Sequence, residues 1–447
     1  MKKLILACIS TCFFLITNAQ EKTMNLSLNE AITFAIENSY NTKASKNDIK
    51  SATEKVWETT TIGLPQINGA IDYQNWLKQQ VSLLPAEITG GTPGTFTPVT
   101  FSTKQNIGAT VTLKQLLFDG SYLVGLQASK TYLKISKQAN EKTELLTREA
   151  VINAYGNVLI SESSISILEG NIKILKKNLS DVKKIYENGL NEEEDVEQLE
   201  ITLGNLNSQL SSVKRMKDIA YKMLNLSLGS SIETKLILTD SLDSLAESNI
   251  NLSIVSEKFS FTDHVDFKIA ENDRESKRLL VQLEKSKALP TLSAFVNYGA
   301  QGYSETFSFL KSEQQWFNSS LLGVSLNIPI FSSLGRSSKT KQAKIALENA
   351  DIRLEETKQR LSLLAEKAKS DYQLSIENYS TAKKNVGLAE RIEKKQRIKF
   401  FEGISSSFDL LQAQNQLYSQ QQNYIQSMLD VIAKKATLEN ALNLPIK

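Results

Sequence analysis

The chain has 447 residues, enough for two or three ordinary domains, yet it carries only 7 Pro and 19 Gly. Its 52 Lys and Arg balance 49 Asp and Glu, leaving a formal net charge of +3. That balance excludes the dominant basic face of a nucleic-acid binder and the charge excess of a disordered acidic tail, while the scarcity of helix breakers favours long helices.

Residues 1–19 read as a signal peptide. Lys2 and Lys3 precede a short apolar run from Leu4 to Ile16, and Thr17-Asn18-Ala19 ends in a small residue, which places cleavage between Ala19 and Gln20. The run is too short to span a bilayer. Cys8 and Cys12, the two cysteines of the chain, both lie inside it. Lipid attachment at either is an alternative disfavoured by the missing apolar run before Cys8 and by Thr11 before Cys12. No later apolar run reaches 18 residues, so no transmembrane helix is expected. Export then leaves a soluble periplasmic protein, a secreted one or an outer-membrane barrel.

In chain order, a helix is predicted over 28–59, ended by Leu64-Pro65, since a residue before Pro is pushed out of the α region. Strands follow at about 66–77 and 105–117, separated by a polar loop at 83–102 containing Gly90-Gly91, Pro93 and Pro98. Two long helices come next, joined at a tip over 188–191. Residues 229–250 lack a sustained pattern and are read as a linker. The order then repeats: a helix over 253–287, Leu289-Pro290, strands at about 291–300 and 319–331, and two long helices with a tip over 402–405.

The chain is thus written twice, as units 20–228 and 251–447. Tyr186, Gly189, Asp195, Gln198, Leu203, Leu224 and Leu228 match Phe400, Gly403, Asp409, Gln412, Leu417, Leu438 and Leu442 at a constant offset of 214 residues. A unit of this size is a duplication and not a solenoid repeat.

The strands alternate strictly. Ile107, Ala109, Val111 and Leu113 interleave with Asn106, Gly108, Thr110 and Thr112, and Leu322, Val324, Leu326, Ile328 and Ile330 with Gly323, Ser325 and Asn327. Ile67, Ile71 and Tyr73, and Leu292, Ala294, Val296 and Tyr298, do likewise. Runs of about 9–11 residues suit tilted bilayer-crossing strands, although half-buried soluble hairpins alternate too. Tyr303, Phe307, Phe309, Trp316 and Phe317, near the strand ends, fit an interfacial girdle. Four strands cannot close a barrel, and an open edge is not tolerated in lipid, so membrane strands would require an oligomer that pools them.

Ile165, Leu168, Ile172, Leu175, Leu179, Val182 and Tyr186 keep 3-4 spacing. Leu410, Leu417, Tyr424, Val431 and Leu438 recur every seven, with a second seam at Leu411, Tyr418, Ile425 and Ile432. Heptads alone equally predict a plain coiled-coil hairpin without a channel. At the tips, Gly189 and Gly403 are placed to end one helix in the left-handed conformation, and Asn191 and Ser405 to cap the next. Glu192, Glu193, Glu194 and Asp195 follow the first tip; they read either as helix-dipole partners or as an acidic ring at a pore constriction, with Asp195 and Asp409 kept by the duplication. His264 is the only histidine and reads as a surface or helix residue; no catalytic, metal or phosphate-binding motif is found, so no enzyme activity and no cofactor are expected.

Leu28, Ala31, Ile32, Ala35 and Asn38, the two Leu-Pro steps, the Phe118-Asp119-Gly120 turn and the paired tips together resemble the TolC-like outer-membrane efflux proteins. The resemblance implies a mainly helical fold with a small β part. Three copies would pool their strands into a 12-stranded outer-membrane barrel, and their coiled-coil helices would form a periplasmic α-barrel. It further implies a passive exit duct of a tripartite efflux or type I secretion system in a Gram-negative bacterium. The implied partners are outer-membrane lipid, a periplasmic membrane-fusion adaptor docked on Tyr186, Gly189, Leu190, Phe400, Gly403 and Ile404, and an inner-membrane pump of the RND, ABC or MFS type. Cargo is set by that pump and is not written in this chain. The alternative is a soluble periplasmic coiled-coil adaptor or scaffold. Family members often place a basic residue after the second tip glycine to latch the pore; Ile404-Ser405-Ser406-Ser407 has none.

Overall fold

The structure, a computed structural model, describes residues 23–189 and 192–444. The signal segment with Ala19 and Gln20, and Leu190 and Asn191 at the first tip, lie outside the described residues.

The elements in chain order are β1 (Met24–Leu26), α1 (Leu28–Asn38), α2 (Tyr40–Thr61), β2 (Gln66–Asn75), β3 (Ser82–Pro85), β4 (Phe96–Val99), β5 (Gln105–Phe118), α3 (Gly120–Glu187) and α4 (Glu193–Leu228). These are followed by β6 (Leu236–Leu238), α5 (Leu242–Ser248), α6 (Val265–Ser286), β7 (Thr291–Ser304), β8 (Trp316–Asn327), α7 (Gly335–Phe401) and α8 (Ser407–Ala441). The fold is mainly α with a small β part. The chain divides into two compact units: residues up to 49 with 136–271 and 353 onward, and residues 50–135 with 272–352.

In the first unit, α1 opens with a reciprocal cap in which Ser27 and Glu30 each bond the other's backbone N–H. Leu28, Ala31, Ile32 and Ala35 form its buried stripe. The single helix predicted over 28–59 is instead broken at Ser39, whose N–H caps Ala35 while its own backbone is extended. The region read as a linker holds structure: β6 pairs in parallel with β1, and α5 follows. Two fully buried tyrosines tie this part together. The Tyr155 hydroxyl lies 3.0 Å from the Leu26 carbonyl and 3.0 Å from the Asp240 carboxylate, which also accepts the Leu28 N–H at 2.7 Å. The Tyr372 hydroxyl donates to the Asn249 carbonyl at 2.6 Å and accepts the Asn251 N–H at 2.9 Å. Burial, reinforced by Asp240, pushes the Tyr155 phenol well above its ordinary pKa, so it stays a proton donor.

The helix predicted over 253–287 begins only at Val265, after two short 3-10 turns. His264 is neither a surface nor a helical residue: it is buried, and its Nδ1 accepts the Asp266 N–H at 3.1 Å. Burial lowers its pKa, which keeps the ring neutral and able to accept. Both apolar seams of α8 are covered within one chain: Val431 and Leu438 from one, Ile425 and Ile432 from the other, join one core with Tyr155 and Tyr372.

The second unit contains a four-stranded antiparallel sheet in the order β2-β5-β7-β8. Its register sets Ile71 beside Ala109, Val111 beside Tyr298, and Val296 beside both Leu113 and Leu322. All four alternating runs therefore place their apolar residues on one face. Asn68, Thr110, Thr112, Asn297, Ser319 and Ser325 share the other, with Leu116, Phe295, Phe317 and Leu321 among the apolar exceptions. Phe295 stands directly opposite Gly323 and lies over it, occupying the space a side chain there would need. β8 stops at Asn327 and not near 331, because Pro329 has no N–H for the ladder; Ile328 and Ile330 fall in the following loop. The predicted 83–102 loop contains the β3–β4 hairpin.

Candidate functional site

The two tips are built by the same backbone device. Gly189 and Gly403 hold φ at 74° and 72°, where a glycine carries no Cβ penalty. At the second tip the Gly403 N–H bonds the Phe400 carbonyl at 3.0 Å and the Ile404 N–H bonds the Lys399 carbonyl at 2.8 Å, satisfying the last carbonyls of α7. At the first, the Gly189 N–H bonds the Tyr186 carbonyl at 2.8 Å.

The caps differ from the sequence reading. Ser406, not Ser405, caps α8: its Oγ accepts the Asp409 N–H and the Asp409 carboxylate accepts the Ser406 N–H. Ser405 instead donates to the Gln396 carbonyl. The N-cap of α4 is Glu192, which makes no side-chain cap bond.

The structure brings the two tips together. Val182, Val196 and Leu199 from the first hairpin pack with Phe400 and Leu410 from the second. Ser407 Oγ reaches Gln198 Oε1 at 3.5 Å across the hairpins. Phe400 is 8% exposed, so it anchors this core and offers no docking surface; aromatic bulk on the inner face of α7 fills the gap between hairpins. Tyr186, Gly189, Gly403 and Ile404 remain accessible, with Ile404 the most exposed of the apolar ones. The sequence reading missed Phe408, an exposed aromatic two positions past the cap. Its only sequence signal is that it falls outside both heptad seams.

The acids lie in first helical turns. Glu192, Glu193 and Glu194 are exposed, and Asp195 is half-buried. Glu194 accepts the Gln198 amide at 2.9 Å. Asp409 is half-buried and committed to the Ser406 cap. Above the second tip, Glu393 is buried beside Arg397 at 3.5 Å, with Gln414 and Tyr418 nearby. Burial raises the Glu393 carboxyl above its ordinary range against the pull of Arg397 and Gln414, and raises the Tyr418 phenol to about 12. A groove of about 590 Å³ runs between α3 and α7, lined by Ile174, Asn178, Asp181, Arg397 and Phe401 among others.

In the sheet, the loop end carries an aromatic cluster. Tyr73 meets Phe307 and Phe309 edge-on at ring separations of 5.9 and 6.0 Å, and Tyr303 lies 6.0 Å from Phe317. β2 and β8, the two ends of the sheet, leave open edges. Among the described residues no helix is long and apolar enough to cross a membrane, and no group of acidic, His or Cys residues is arranged to hold a metal.

The model of the family "Outer membrane efflux protein" matches residues 31–230 and 263–444. The chain belongs to the outer membrane efflux protein family. Solved structures agree on the fold of this efflux protein. It superposes on CusC with a TM-score of 0.74 at 16% identity, covering 96% of this chain and 95% of that one. The outer membrane protein VceC of Vibrio cholerae gives 0.71 at 14% identity, covering 94% and 97%. The outer membrane channel CmeC of Campylobacter jejuni gives 0.73 at 16% identity, covering 93% and 85%. No curated protein matches the chain by sequence. The efflux protein is therefore one of the outer membrane, and the soluble-scaffold alternative is not favoured. The family is one of channel proteins and not of enzymes.

Proposed function

We propose that this efflux protein works as a homotrimer in which β8 of each copy pairs with β2 of the next, giving a 12-stranded barrel open to the exterior. The observation that carries this is the four-stranded sheet with one largely apolar face and two open edges. Such a sheet is stable in lipid only when its edges are paired. In this reading the channel is a passive duct, built from the repeats 20–228 and 251–447 joined through 229–250. A periplasmic membrane-fusion adaptor docks at the tips through Tyr186, Gly189, Leu190, Gly403, Ile404 and Phe408, and an inner-membrane pump supplies cargo. The groove between α3 and α7 offers a second contact for an adaptor helix. Asp195, with Glu192, Glu193 and Glu194, forms the acidic constriction. Asp409 contributes less because its carboxylate is held in a cap. Ile404-Ser405-Ser406-Ser407, directly after Gly403, offers no Lys or Arg to latch the pore. Planar-bilayer recording of the purified oligomer tests this: discrete, cation-preferring steps are expected, and a protein that never inserts overturns it.

A further inference from the structure

The two halves of the sheet meet their helices differently. A single residue, Asp119, separates Phe118 from Gly120, whereas seven residues separate Asn327 from Gly335. In sequence those seven prolong the apolar run of β8 beyond its last paired residue, Asn327. Leu322, Val324 and Leu326 are followed at the same spacing by Ile328 and Ile330, then by Phe331 and Leu334. The last three are 89, 80 and 73% exposed.

The loop is built to hold that display. Ser333 and Leu334 adopt φ of 48° and 63°, which side-chain-bearing residues rarely do. Arg336 donates to the Pro329 carbonyl at 2.9 Å and to the Ile330 carbonyl at 3.4 Å, and the Gly335 N–H bonds the Ser332 carbonyl at 2.8 Å. Immediately beyond it, Lys339, Lys341 and Lys344 are exposed and make no ion pair among the described residues. Residues 328–347 carry four cations and no acid. The corresponding start of α3 has no Lys or Arg before Lys130.

This loop joins the sheet to a periplasmic helix, so its end of the barrel faces the periplasmic leaflet. We propose that residues 328–344 are a docking collar for anionic phospholipid of that leaflet. Ile330, Phe331 and Leu334 enter the acyl region, and Lys339, Lys341 and Lys344 receive headgroup phosphates. The inference rests on the outer-membrane channel reading. The exposure of Ile330, Phe331 and Leu334 directly after the apolar run of β8 selects lipid as the occupant, and the run of unpaired cations selects its charge. Lysines this close to an anionic surface each favour it by roughly fivefold. All three lie within about 14 Å of the helix start, within reach of a headgroup layer with side-chain snorkelling.

The test is flotation of the purified full-length protein with vesicles of phosphatidylcholine alone or containing one-third phosphatidylglycerol, at low and high salt. Wild type should insert at least tenfold faster into the mixed vesicles at low salt, with the advantage shrinking at high salt. The triple variant Lys339→Gln, Lys341→Gln, Lys344→Gln should insert into phosphatidylcholine at the wild-type rate and lose the phosphatidylglycerol advantage. Phe331→Ser should slow insertion into both. Equal wild-type rates in the two vesicles overturn the collar and leave the channel standing. A triple variant that keeps the advantage, or that assembles poorly before any lipid is added, also overturns it, the latter assigning the cations to a neighbouring subunit. Failure of wild type to insert anywhere sinks the channel reading and the collar with it.

Discussion

Asp409 and Ser406 hold each other: the carboxylate accepts the Ser406 N–H at 3.2 Å and its Oγ–H at 2.9 Å, while the Asp409 N–H donates to Ser406 Oγ at 3.3 Å. A carboxylate held this way has a structural job, and its duplicate, Asp195, has no such bond from its N-cap residue Glu192. Asp195→Asn should therefore reduce cation preference more than Asp409→Asn, read as the shift in reversal potential under a salt gradient. Ser406→Ala should cost about 1 kcal/mol at the helix start, seen as faster amide exchange over the first turn of α8. Equal selectivity shifts for the two Asp variants would refute this division of roles.

Glu393 gives the second tip a pH dependence. Its folded pKa is raised by burial, so its contribution to stability is fully present below the unfolded pKa and is lost as pH rises through the folded one. Hydrogen exchange in the last turns of α7 should accelerate as pH rises from the ordinary carboxylate range toward neutrality, after correction for intrinsic rates. Glu393→Gln should flatten that profile and slow exchange at neutral pH. An unchanged profile in the variant would show that another group is responsible.

Gly323 and Phe295 form a matched pair. A Cβ on Gly323 would run into the Phe295 ring, so Gly323→Val should destabilise the assembled sheet by about 1–3 kcal/mol. Adding Phe295→Ala should restore part of the loss. Thermal dissociation of the oligomer on a gel measures both, and strictly additive losses would argue against direct coupling.

Gly229 is a harder constraint. It holds φ at 75°, and a Cβ there would strike the Asn38 carbonyl and the Ser39 Cα, backbone atoms that have no rotamer to escape into. Gly229→Ala should cost on the order of 3 kcal/mol or more, measured by denaturant unfolding. The same change at Gly204, where nothing crowds the Cβ, should be neutral or stabilising.

The long elements were legible because they satisfy one period over many residues. Alternation through Ile107 to Leu113 and Leu322 to Leu326 needs no knowledge of the partner strand, and the heptads of α8 report their own buried faces. What escaped depends on distant partners. β1 has three residues and becomes a strand only through β6, so no local pattern announces it. His264 looks like a stray surface residue until Asp266 presents an N–H to it. Phe400 reads as tip surface by its place beside Gly403, yet the second hairpin turns it inward against Val196 and Leu199. The acidic tip was ambiguous for a physical reason, since helix dipoles, caps and pore rings all select carboxylates at the same positions.

The parallel pairing of β1 with β6 also fixes an order of events. Leu28 finds Asp240 across 212 residues, so the first strand has no partner until the whole first hairpin has emerged and folded back. Closing so large a loop is slow compared with helix growth. The amino-terminal strand is thus among the last pieces of its half to lock. Refolding measured at Tyr155, whose hydroxyl senses both Leu26 and Asp240, should lag behind the recovery of helicity.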